Sequence, residues 1–293
     1  MKIILIGKDG QLGLELQHIL SGLGEVIALG REKLDITDAD AVQKTLNELQ
    51  PKLIINASAY TEVDLAETQV ELATNINAIA PGVIAETASK LNAVFIHYST
   101  DYVFDGKNNT PYTENDPTNP LNMYGKSKFM GEENIKQAGD AYLILRTSWV
   151  YSLRGNSFVN KVLEWSRKNK TLKIVSDQVS SPTWARALAE ITTQAIATNK
   201  ANLLDILRER RGIYHLAGSG YTSRYEWAKQ ILANDPNRTE QLVQTIEPAL
   251  SLEFPTPATR PLFSALNCEK FNQTFKLNLP NWEESLQQAM PGK

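Results

Sequence analysis

A short apolar run that leads directly into a glycine-rich turn constrains the fold of this chain most strongly. Residues 2–7 read KIILIG, and three glycines follow at intervals of three: Gly7, Gly10 and Gly13. Glycines between a strand and a helix let the backbone turn tightly and approach a pyrophosphate, which the first N–H groups of the helix, at Gln11 and Leu12, can bind. The pattern predicts a dinucleotide site, although such a turn also occurs without one.

The first half of the chain alternates short apolar runs with longer amphipathic segments, as expected for βα units on a parallel sheet. The predicted strands are Lys2–Gly7, Glu25–Leu29, Lys52–Asn56, Val94–Ser99 and Tyr142–Arg146. Helices are predicted to begin near Gln11, Thr37, Thr68 and Leu121, with Thr37 and Thr68 as N-caps. We therefore expect a Rossmann-type doubly wound parallel sheet in a dinucleotide-binding domain, residues 1–150.

The pattern is looser beyond residue 150, where we expect a smaller substrate-binding lobe, residues 151–293, with some segments returning to the first sheet. Helices are predicted over Asn156–Lys168 and Thr183–Thr198, and strands over Leu172–Val175 and Ile213–Leu216. The proline-rich segment 247–260 is predicted to be an ordered irregular loop.

Composition limits the classes of function. With 293 residues, a net charge of −3 and 42% hydrophobic residues, the chain is typical of a soluble protein, and nucleic acid is not an expected partner. The apolar N-terminal run is too short for a signal segment or a membrane span, and the single cysteine excludes an internal disulfide, so we expect a cytoplasmic protein. The three histidines, His18, His97 and His215, lack ligand spacing, and no metal site is predicted.

Two further segments bear on a dinucleotide. After the second predicted strand, Arg31 suits a ribose 2′-phosphate and therefore NADPH, whereas Glu32 suits the free hydroxyl of NADH; Arg31 is explained equally well as an ordinary surface residue. Asp35 follows where the chain would pass the adenine. The third predicted strand ends in NASAYT, residues 56–61, whose small side chains at Ala57 and Ala59 would let the backbone lie against a cofactor, although packing is an alternative explanation for them.

The chemistry is indicated by Tyr124 and Lys128, four residues apart on a predicted helix and so on one face of it. A phenol with its ordinary pKa near 10 exchanges protons poorly at neutral pH. We expect the ammonium of Lys128 to lower that pKa and also to bind the nicotinamide ribose. Thr100, at the end of the fourth strand, can donate to a carbonyl oxygen as charge develops on it, or it can simply cap the strand.

These motifs resemble the extended short-chain dehydrogenase/reductase superfamily and, within it, the dTDP-4-dehydrorhamnose reductases. The resemblance extends over nearly the whole chain, and its most specific part is YSTDYVFDG at residues 98–106. The other matching runs are GKDGQLG (7–13), NASAYTEVD (56–64), PLNMYGKSK (120–128), RTSWVY (146–151), GNSF (155–158), DQ (177–178), SPT (181–183) and PATRP (257–261).

The resemblance implies reduction of the C4 ketone of dTDP-4-dehydro-L-rhamnose to dTDP-L-rhamnose, a polysaccharide precursor, with Tyr124 as proton donor and Lys128 as its partner. It also implies a cofactor site that includes Ile36, Ala59, Tyr60 and Thr61 in addition to the glycine turn. Substrate contacts are expected from Thr100, Asp101, Tyr102, Trp149, Asn156, Gln178 and Arg260.

Two positions depart from the family pattern. Arg186 stands where an acidic residue helps some members dimerise through magnesium, although Glu15 matches another of those acids. Because a guanidinium cannot ligate a metal, a structural magnesium is doubtful, and both a monomer and a homodimer remain open. Trp184 stands where a small residue is usual, so we expect it to reshape the rim of the pocket.

Two other functions remain open from the sequence. One is a reductase or epimerase of another nucleotide sugar, since the superfamily combines one Tyr/Lys pair with varied loops. The other is a regulatory subunit that binds dinucleotide without turnover, against which stands the complete set of Thr100, Tyr124 and Lys128.

Overall fold

The structure of the protein, a computed structural model, describes residues 1–290. The strands within that range are β1 (Lys2–Ile6), β2 (Glu25–Leu29), β3 (Leu53–Asn56), β4 (Val94–Thr100), β5 (Tyr142–Thr147), β6 (Val150–Tyr151), β7 (Thr171–Val175), β8 (Val179–Ser180), β9 (Thr183–Trp184), β10 (Gly212–His215), β11 (Thr222–Ser223) and β12 (Thr245–Ala249). The α-helices are α1 (Gln11–Leu20), α2 (Ala39–Leu49), α3 (Val70–Thr74), α4 (Ala80–Lys90), α5 (Met123–Ala138), α6 (Phe158–Ser166), α7 (Ala185–Ala197), α8 (Leu203–Glu209), α9 (Arg224–Ala233), α10 (Glu269–Phe275) and α11 (Trp282–Ala289). A π-helical turn, Asn75–Ile79, joins α3 to α4.

Six strands form one parallel sheet in the order β10-β5-β4-β3-β1-β2. The chain builds outward from β1 to β2 on one side and from β1 to β3 on the other, so the order reverses beside β1. Crevices form at the carboxyl ends of strands at such a reversal, and ligands bind there in doubly wound sheets. The predicted Rossmann-type parallel sheet is confirmed.

Helices cover both faces of this sheet because its strands are apolar on both sides, as β1 shows with KIILI. On one face α1, α7, α8 and α10 pack their apolar side chains, including Leu16, Leu188 and Phe271, against the strands. On the other face α2, α4 and α5 contribute Val42, Ile84 and Ile135.

The predicted N-terminal strands agree with the structure to within one residue at each end, but both predicted N-caps are wrong. The cap of α2 is Asp38, whose carboxylate accepts from the N–H of Ala41, while Thr37 bonds to Asp35 instead. Thr68 ends a 3₁₀ turn, and its hydroxyl donates to the carbonyl of Leu65. A competing carboxylate and a local turn therefore take the two threonines out of capping roles.

In the second half, the predicted helices are present as α6 and α7, and the predicted strands as β7 and β10. Among the described strands of this half, only β10 belongs to the central sheet, since β7 pairs with β12 in a separate two-stranded sheet. The irregular loop predicted for residues 247–260 is wrong at its start, because 247–249 belong to β12. Pro248 is accommodated there because β12 is an edge strand.

A third apolar cluster holds the C-terminal segments together around Trp227, with Tyr151, Val162 and Leu286 fully buried beside it. The last positions of the predicted second lobe, 291–293, lie outside the described residues. Among residues 1–290, no helix is long and apolar enough to cross a bilayer.

Candidate active site

The glycine turn lies at the reversal point of the sheet, against the end of β3. Gly7 has φ +87°, and a Cβ on it would stand 2.6 Å from the amide nitrogen of Ser58, so this close approach admits only glycine. Gly13 serves packing, because a Cβ there would collide with the carbonyl of Gly7. The turn therefore brings two backbone segments to the mouth of one crevice.

This crevice is a cavity of about 640 Å³ above β1, β3 and β4. Its wall contains most of the predicted cofactor residues, namely Gly7, Gly10, Gln11, Leu12, Arg31, Asp35, Ile36, Ala57, Ala59, Tyr60, Thr61, Tyr124 and Lys128. Gly13, also predicted to bind cofactor, lies outside this wall. The structure thus brings together side chains from four separate segments of the sequence.

The residues present fit a dinucleotide. The N-cap of α1 is Gly10, which offers no side-chain cap, so the positive end of the helix dipole faces the cavity. The side-chain oxygen of Gln11 is buried and has no hydrogen-bond partner among the described residues, although it lies in the cavity wall. The uncapped helix end and the unpaired amide oxygen of Gln11 can both form hydrogen bonds with polar groups of a ligand.

Charges of both signs meet beside Arg31 at one end of the cavity. Glu32 forms an ion pair with Lys8 of the glycine turn, with 2.8 Å between Oε1 and Nζ. Arg31 forms a second ion pair with Asp35, with 3.8 Å between Nε and Oδ2. A hydrogen bond from Lys8 lowers the pKa of Glu32, and the N–H of Thr37 lowers that of Asp35. Lys8 is a second cation for this region that the sequence analysis did not identify.

Tyr124 lies in the first turn of α5, which begins where the side chain of Asn122 accepts from the N–H of Gly125. There α5 lies close to the backbone of Tyr102, since a Cβ on Gly125 would collide with the Tyr102 carbonyl. Burial raises the pKa of the Tyr124 phenol, and a hydrogen bond with Thr100 opposes part of that rise. The phenol is therefore neutral and carries its proton at physiological pH.

Lys128 is buried one turn further along α5 and is 1% exposed. Its Nζ donates to the carbonyl of Tyr98 at 2.6 Å and lies 3.0 Å from Nε2 of His97. Burial lowers the pKa of Lys128 to about 8. The expectation that its field lowers the pKa of Tyr124 is wrong for this structure, because burial dominates at the phenol and the Lys128 amine is bonded elsewhere.

Thr100 and Asp101 both line this first cavity, at the end of β4. The carboxylate of Asp101 accepts hydrogen bonds from the hydroxyls of Thr100, Ser180 and Ser264, and it is 2% exposed. Burial raises its pKa to about 6. Tyr102 lines neither cavity, but its ring lies edge-on to that of Tyr124 at 5.6 Å.

A second cavity, of about 1230 Å³, adjoins the first and shares Gln11, Trp149 and Val150 with it. Its wall contains four of the predicted substrate residues: Trp149, Asn156, Gln178 and Arg260. Trp149 stands at the junction with φ +41°, a strained conformation for a large side chain and one that occurs often at functional sites. The two cavities therefore meet at Trp149, a residue whose backbone has an unusual conformation.

Arg224, at the start of α9, is a cationic residue of the second cavity that the sequence analysis missed. Its guanidinium carbon lies 3.7 Å from the ring centroid of Trp149 and 4.8 Å from that of Phe158. Burial lowers its pKa to about 10, which leaves it charged at neutral pH. Arg260, by contrast, is bonded to Asp64 at 2.7 Å. The sequence could not reveal this contact, because Trp149 lies between β5 and β6, Phe158 in α6 and Arg224 in α9.

The positions that depart from the family pattern lie away from both cavities. The exposed Arg186 pairs with Glu190 one turn along α7, and Trp184 packs between two apolar clusters. The expectation that Trp184 reshapes the pocket rim is wrong, because it lines neither cavity. Within residues 1–290, no three His, Cys, Asp or Glu side chains cluster as metal ligands would.

The parallel sheet, the glycine turn at its reversal point and the Tyr124/Lys128 helix define an extended short-chain dehydrogenase/reductase. The family model described as the RmlD substrate binding domain matches residues 1–292, and the chain belongs to that family. The resemblance to dTDP-4-dehydrorhamnose reductases is thereby confirmed.

Relatives and solved structures agree with this assignment. The chain is 40% identical to the dTDP-4-dehydrorhamnose reductase of Salmonella typhimurium, over 97% of this chain and 95% of that protein. It is similar to the crystal structure of a dTDP-4-dehydrorhamnose reductase from Clostridium acetobutylicum, with a TM-score of 0.89, 37% identity and coverage of 99% and 98%. A dTDP-4-dehydrorhamnose reductase from Bacillus anthracis in complex with NADP gives a TM-score of 0.87, 33% identity and coverage of 98% and 97%.

Proposed function

We propose that the protein reduces the C4 ketone of dTDP-4-dehydro-L-rhamnose with NADPH and releases dTDP-L-rhamnose. The observation that carries this proposal is the junction of the two cavities, where Trp149 and Gln11 belong to both walls. A dinucleotide in the first cavity and a nucleotide sugar in the second would bring their reactive ends together there. The full-length similarity to dTDP-4-dehydrorhamnose reductases, and the NADP bound in one of them, supports this choice of substrate and cofactor.

The glycine turn and the start of α1 would hold the pyrophosphate of the cofactor, with Ala57, Ala59, Tyr60 and Thr61 along its length. Arg31 and Lys8 favour the 2′-phosphate of NADPH, and NADH remains an acceptable cofactor because Glu32 lies beside them. When bound, the cofactor supplies the hydride that the C4 carbon accepts.

The proposed role of Tyr124 is to hold a proton for the C4 oxygen. Because burial raises its pKa, the phenol is protonated at neutral pH and can donate as the oxygen becomes an alkoxide. Thr100, which lines the same cavity as that phenol, would donate to the same oxygen. Lys128 would orient the nicotinamide ribose from its buried position on α5.

On the substrate side we propose that Trp149 covers one face of the sugar, with Asp101 and Tyr102 supporting the residues around it. Asn156, Gln178 and Arg260 offer amide and guanidinium donors along the second cavity. Arg224 adds a cation to this cavity that forms no ion pair with a carboxylate among the described residues, which suits the diphosphate of a nucleotide sugar.

We further propose that the enzyme acts in the cytoplasm as a monomer or homodimer, with neither nucleic acid nor membrane as a partner. One free cysteine and a net charge of −3 support this proposal. The pairing of Arg186 with Glu190 argues against a magnesium bridge at that position.

Substitution of Tyr124 by phenylalanine tests the proposal, because it removes only the hydroxyl. With dTDP-4-dehydro-L-rhamnose and NADPH, we expect kcat to fall by about a hundredfold or more, in line with general-acid contributions, while NADPH binding measured by fluorescence is kept. Product analysis by chromatography would identify dTDP-L-rhamnose. Near-normal turnover of Y124F would refute Tyr124 as the acid, and turnover only with another nucleotide sugar would refute the substrate.

A further inference from the structure

Three buried polar side chains from three different elements meet beside the proposed nicotinamide end of the first cavity. Asn56 ends β3, His97 lies in the middle of β4 and Lys128 comes from α5, and none of them is more than 1% exposed. The Nδ2 atom of Asn56 lies 3.2 Å from Nδ1 of His97, and Nε2 of His97 lies 3.0 Å from Nζ of Lys128. The imidazole therefore bridges an amide and an amine.

The orientation of the Asn56 amide is fixed by its other neighbour. Its Oδ1 accepts from the backbone N–H of Ser58 at 3.0 Å and from the hydroxyl of Ser58 at 2.5 Å. A backbone N–H can only donate, so the amide oxygen must face Ser58 and the NH₂ group must face His97.

The same donor and acceptor accounting passes through the imidazole. Because the Asn56 NH₂ donates to it, Nδ1 of His97 carries no proton, and the neutral ring bears its hydrogen on Nε2. That N–H points at Nζ of Lys128, which can accept it only as an uncharged amine. An ammonium would instead leave a donor facing a donor, either at Nε2 or, with the other tautomer, at Asn56.

We propose that Asn56 sets the tautomer of His97 with the proton on Nε2, and that His97 presents this N–H to Lys128 as a donor that favours its uncharged amine. His97 and Asn56 are thus positioning residues, which act on the site through Lys128. The Lys128 amine completes the arrangement by donating to the carbonyl of Tyr98 at 2.6 Å.

The charged groups packed around Lys128 are consistent with this arrangement. Glu132, on the next turn of α5, raises the pKa of Lys128, but two hydrogen bonds from Arg146, at 2.6 and 2.9 Å, occupy that carboxylate. Tyr98, Asp101 and Tyr124, which line the same cavity as Lys128, have pKa values raised by burial. Burial also lowers the pKa of Lys128 to about 8 and that of His97 well below its usual value.

The consequence is a lysine whose charge changes within the working pH range, so that cofactor binding can be coupled to its protonation. This consequence for turnover rests on the proposed function, whereas the tautomer is a property of the cofactor-free protein. A confirmed tautomer without reductase activity would leave the present inference intact and refute only the proposed function.

The tautomer can be measured directly on the cofactor-free protein labelled with ¹⁵N-histidine, because the chain contains only three histidines. We expect His97 to show its proton on Nε2. His215 is an internal reference with the opposite state, because its Nδ1 lies 2.9 Å from the carbonyl of Tyr112 and must donate to it. A proton on Nδ1 of His97 would overturn the proposal whether or not any variant folds.

Substitutions then test the coupling to Lys128, whose proton affinity is followed with ¹³C-lysine and assigned with Lys128→Met. In Asn56→Asp the carboxylate accepts from both neighbours, so His97 should move its proton to Nδ1 and the proton affinity of Lys128 should rise tenfold or more. His97→Gln keeps an N–H donor near the amine and should leave that affinity within about threefold of its original value.

Asn122→Asp controls for added charge alone. It introduces the same carboxylate on the N-terminal side of α5, where the original side chain bonds Gly125 and Thr259 rather than His97. The tautomer of His97 should remain on Nε2 in this variant. If Asn56→Asp and Asn122→Asp change Lys128 equally, the relay through His97 is refuted.

Discussion

At the scale of single residues, the choice of cofactor depends on the charges around Arg31. Glu32 holds Lys8 in an ion pair at 2.8 Å, and both groups are solvent-accessible. Removing the carboxylate of Glu32 leaves Lys8 available to a 2′-phosphate. It also removes a negative charge that repels the phosphate. We therefore expect Glu32→Gln to raise the ratio of kcat/KM for NADPH over NADH by roughly fivefold, as for exposed charge pairs.

The matching variants are Lys8→Met and Arg31→Met, which should move the same ratio in the opposite direction. Steady-state kinetics with each cofactor at fixed ionic strength measures it. Should all three variants leave the ratio unchanged, the 2′-phosphate does not bind beside these residues.

Arg224 gives a second prediction at this scale. Its guanidinium is held against Trp149 and Phe158 and has no carboxylate partner within 4 Å among the described residues, so Arg224→Met should remove a charge-assisted contact to the substrate diphosphate. We expect KM for the nucleotide sugar to rise about tenfold or more, with NADPH affinity unchanged.

Arg186→Met is the matched control, since it removes an exposed arginine that pairs with Glu190 outside both cavities. Initial rates over a range of sugar concentrations separate the two variants. An equal KM for Arg224→Met and the original protein would show that the diphosphate lies elsewhere.

Single residues were predictable from the sequence where a local motif carries them. The glycine turn and the Tyr124/Lys128 pair need only spacing along one strand-to-helix junction or one helix. Arg224 and His97 were missed because their neighbours come from distant segments, and the pKa of Tyr124 was predicted in the wrong direction because burial is not visible in a spacing.

At the scale of secondary-structure elements, the π-helical turn Asn75–Ile79 positions the cofactor loop. Asn77, in that turn, accepts from the N–H of Tyr60 and donates to its carbonyl and to the hydroxyl of Ser127 on α5. One buried amide thus fastens the loop after β3 to the helix that carries Tyr124 and Lys128. π-helical turns often occur at functional sites.

We expect Asn77→Ala to weaken NADPH binding by about tenfold and to lower the free energy of unfolding by about 1 to 3 kcal/mol, because it leaves the partly buried backbone N–H and carbonyl of Tyr60 unpaired. Fluorescence titration and urea unfolding measure the two effects. The control is Asn134→Ala, which removes a bond from α5 to the carbonyl of Ala78 but does not touch the loop. Equal loss of NADPH affinity in both variants would contradict the positioning role.

Strand and helix boundaries were largely predictable because apolar periodicity is a local signal. The failures were at Thr37, Thr68 and the first residues of 247–260. Each depends on a competing partner, namely Asp35, a 3₁₀ turn and the pairing of β12 with β7. A sequence pattern shows which residues can cap or pair, but it does not show which partner is closest.

At the scale of the whole molecule, Asp101 connects the central sheet to the C-terminal segments. It directly follows β4, and its carboxylate accepts from Ser180 in β8 and from Ser264, which lie 79 and 163 residues away in the sequence. The sequence predicted Asp101 as a substrate residue from its motif, but contacts at such separations leave no periodic signal. Its position makes the attachment of the two parts sensitive to pH.

The sign of that sensitivity follows from burial, which raises the pKa of Asp101 from 3.8 to about 6 in the folded protein. Between these two pH values the folded state binds more protons than the unfolded state. The contribution of Asp101 to the free energy of unfolding therefore falls as the pH rises, and the full loss above pH 6 is about 3 kcal/mol. Asp101→Asn removes this term. The stability of the variant relative to the original protein should therefore increase from pH 4 to pH 7, as urea unfolding at fixed ionic strength would measure.

Asp116→Asn should show the reverse trend, because hydrogen bonds from Thr113 lower the pKa of Asp116 in the folded protein. That carboxylate stabilises the fold at neutral pH and loses its effect as the pH falls through its folded pKa. A pH-independent difference between Asp101→Asn and the original protein would mean that Asp101 titrates alike in both states. The three hydroxyl donors would then fully offset its burial, and the junction between the sheet and the C-terminal segments would be insensitive to pH at this carboxylate.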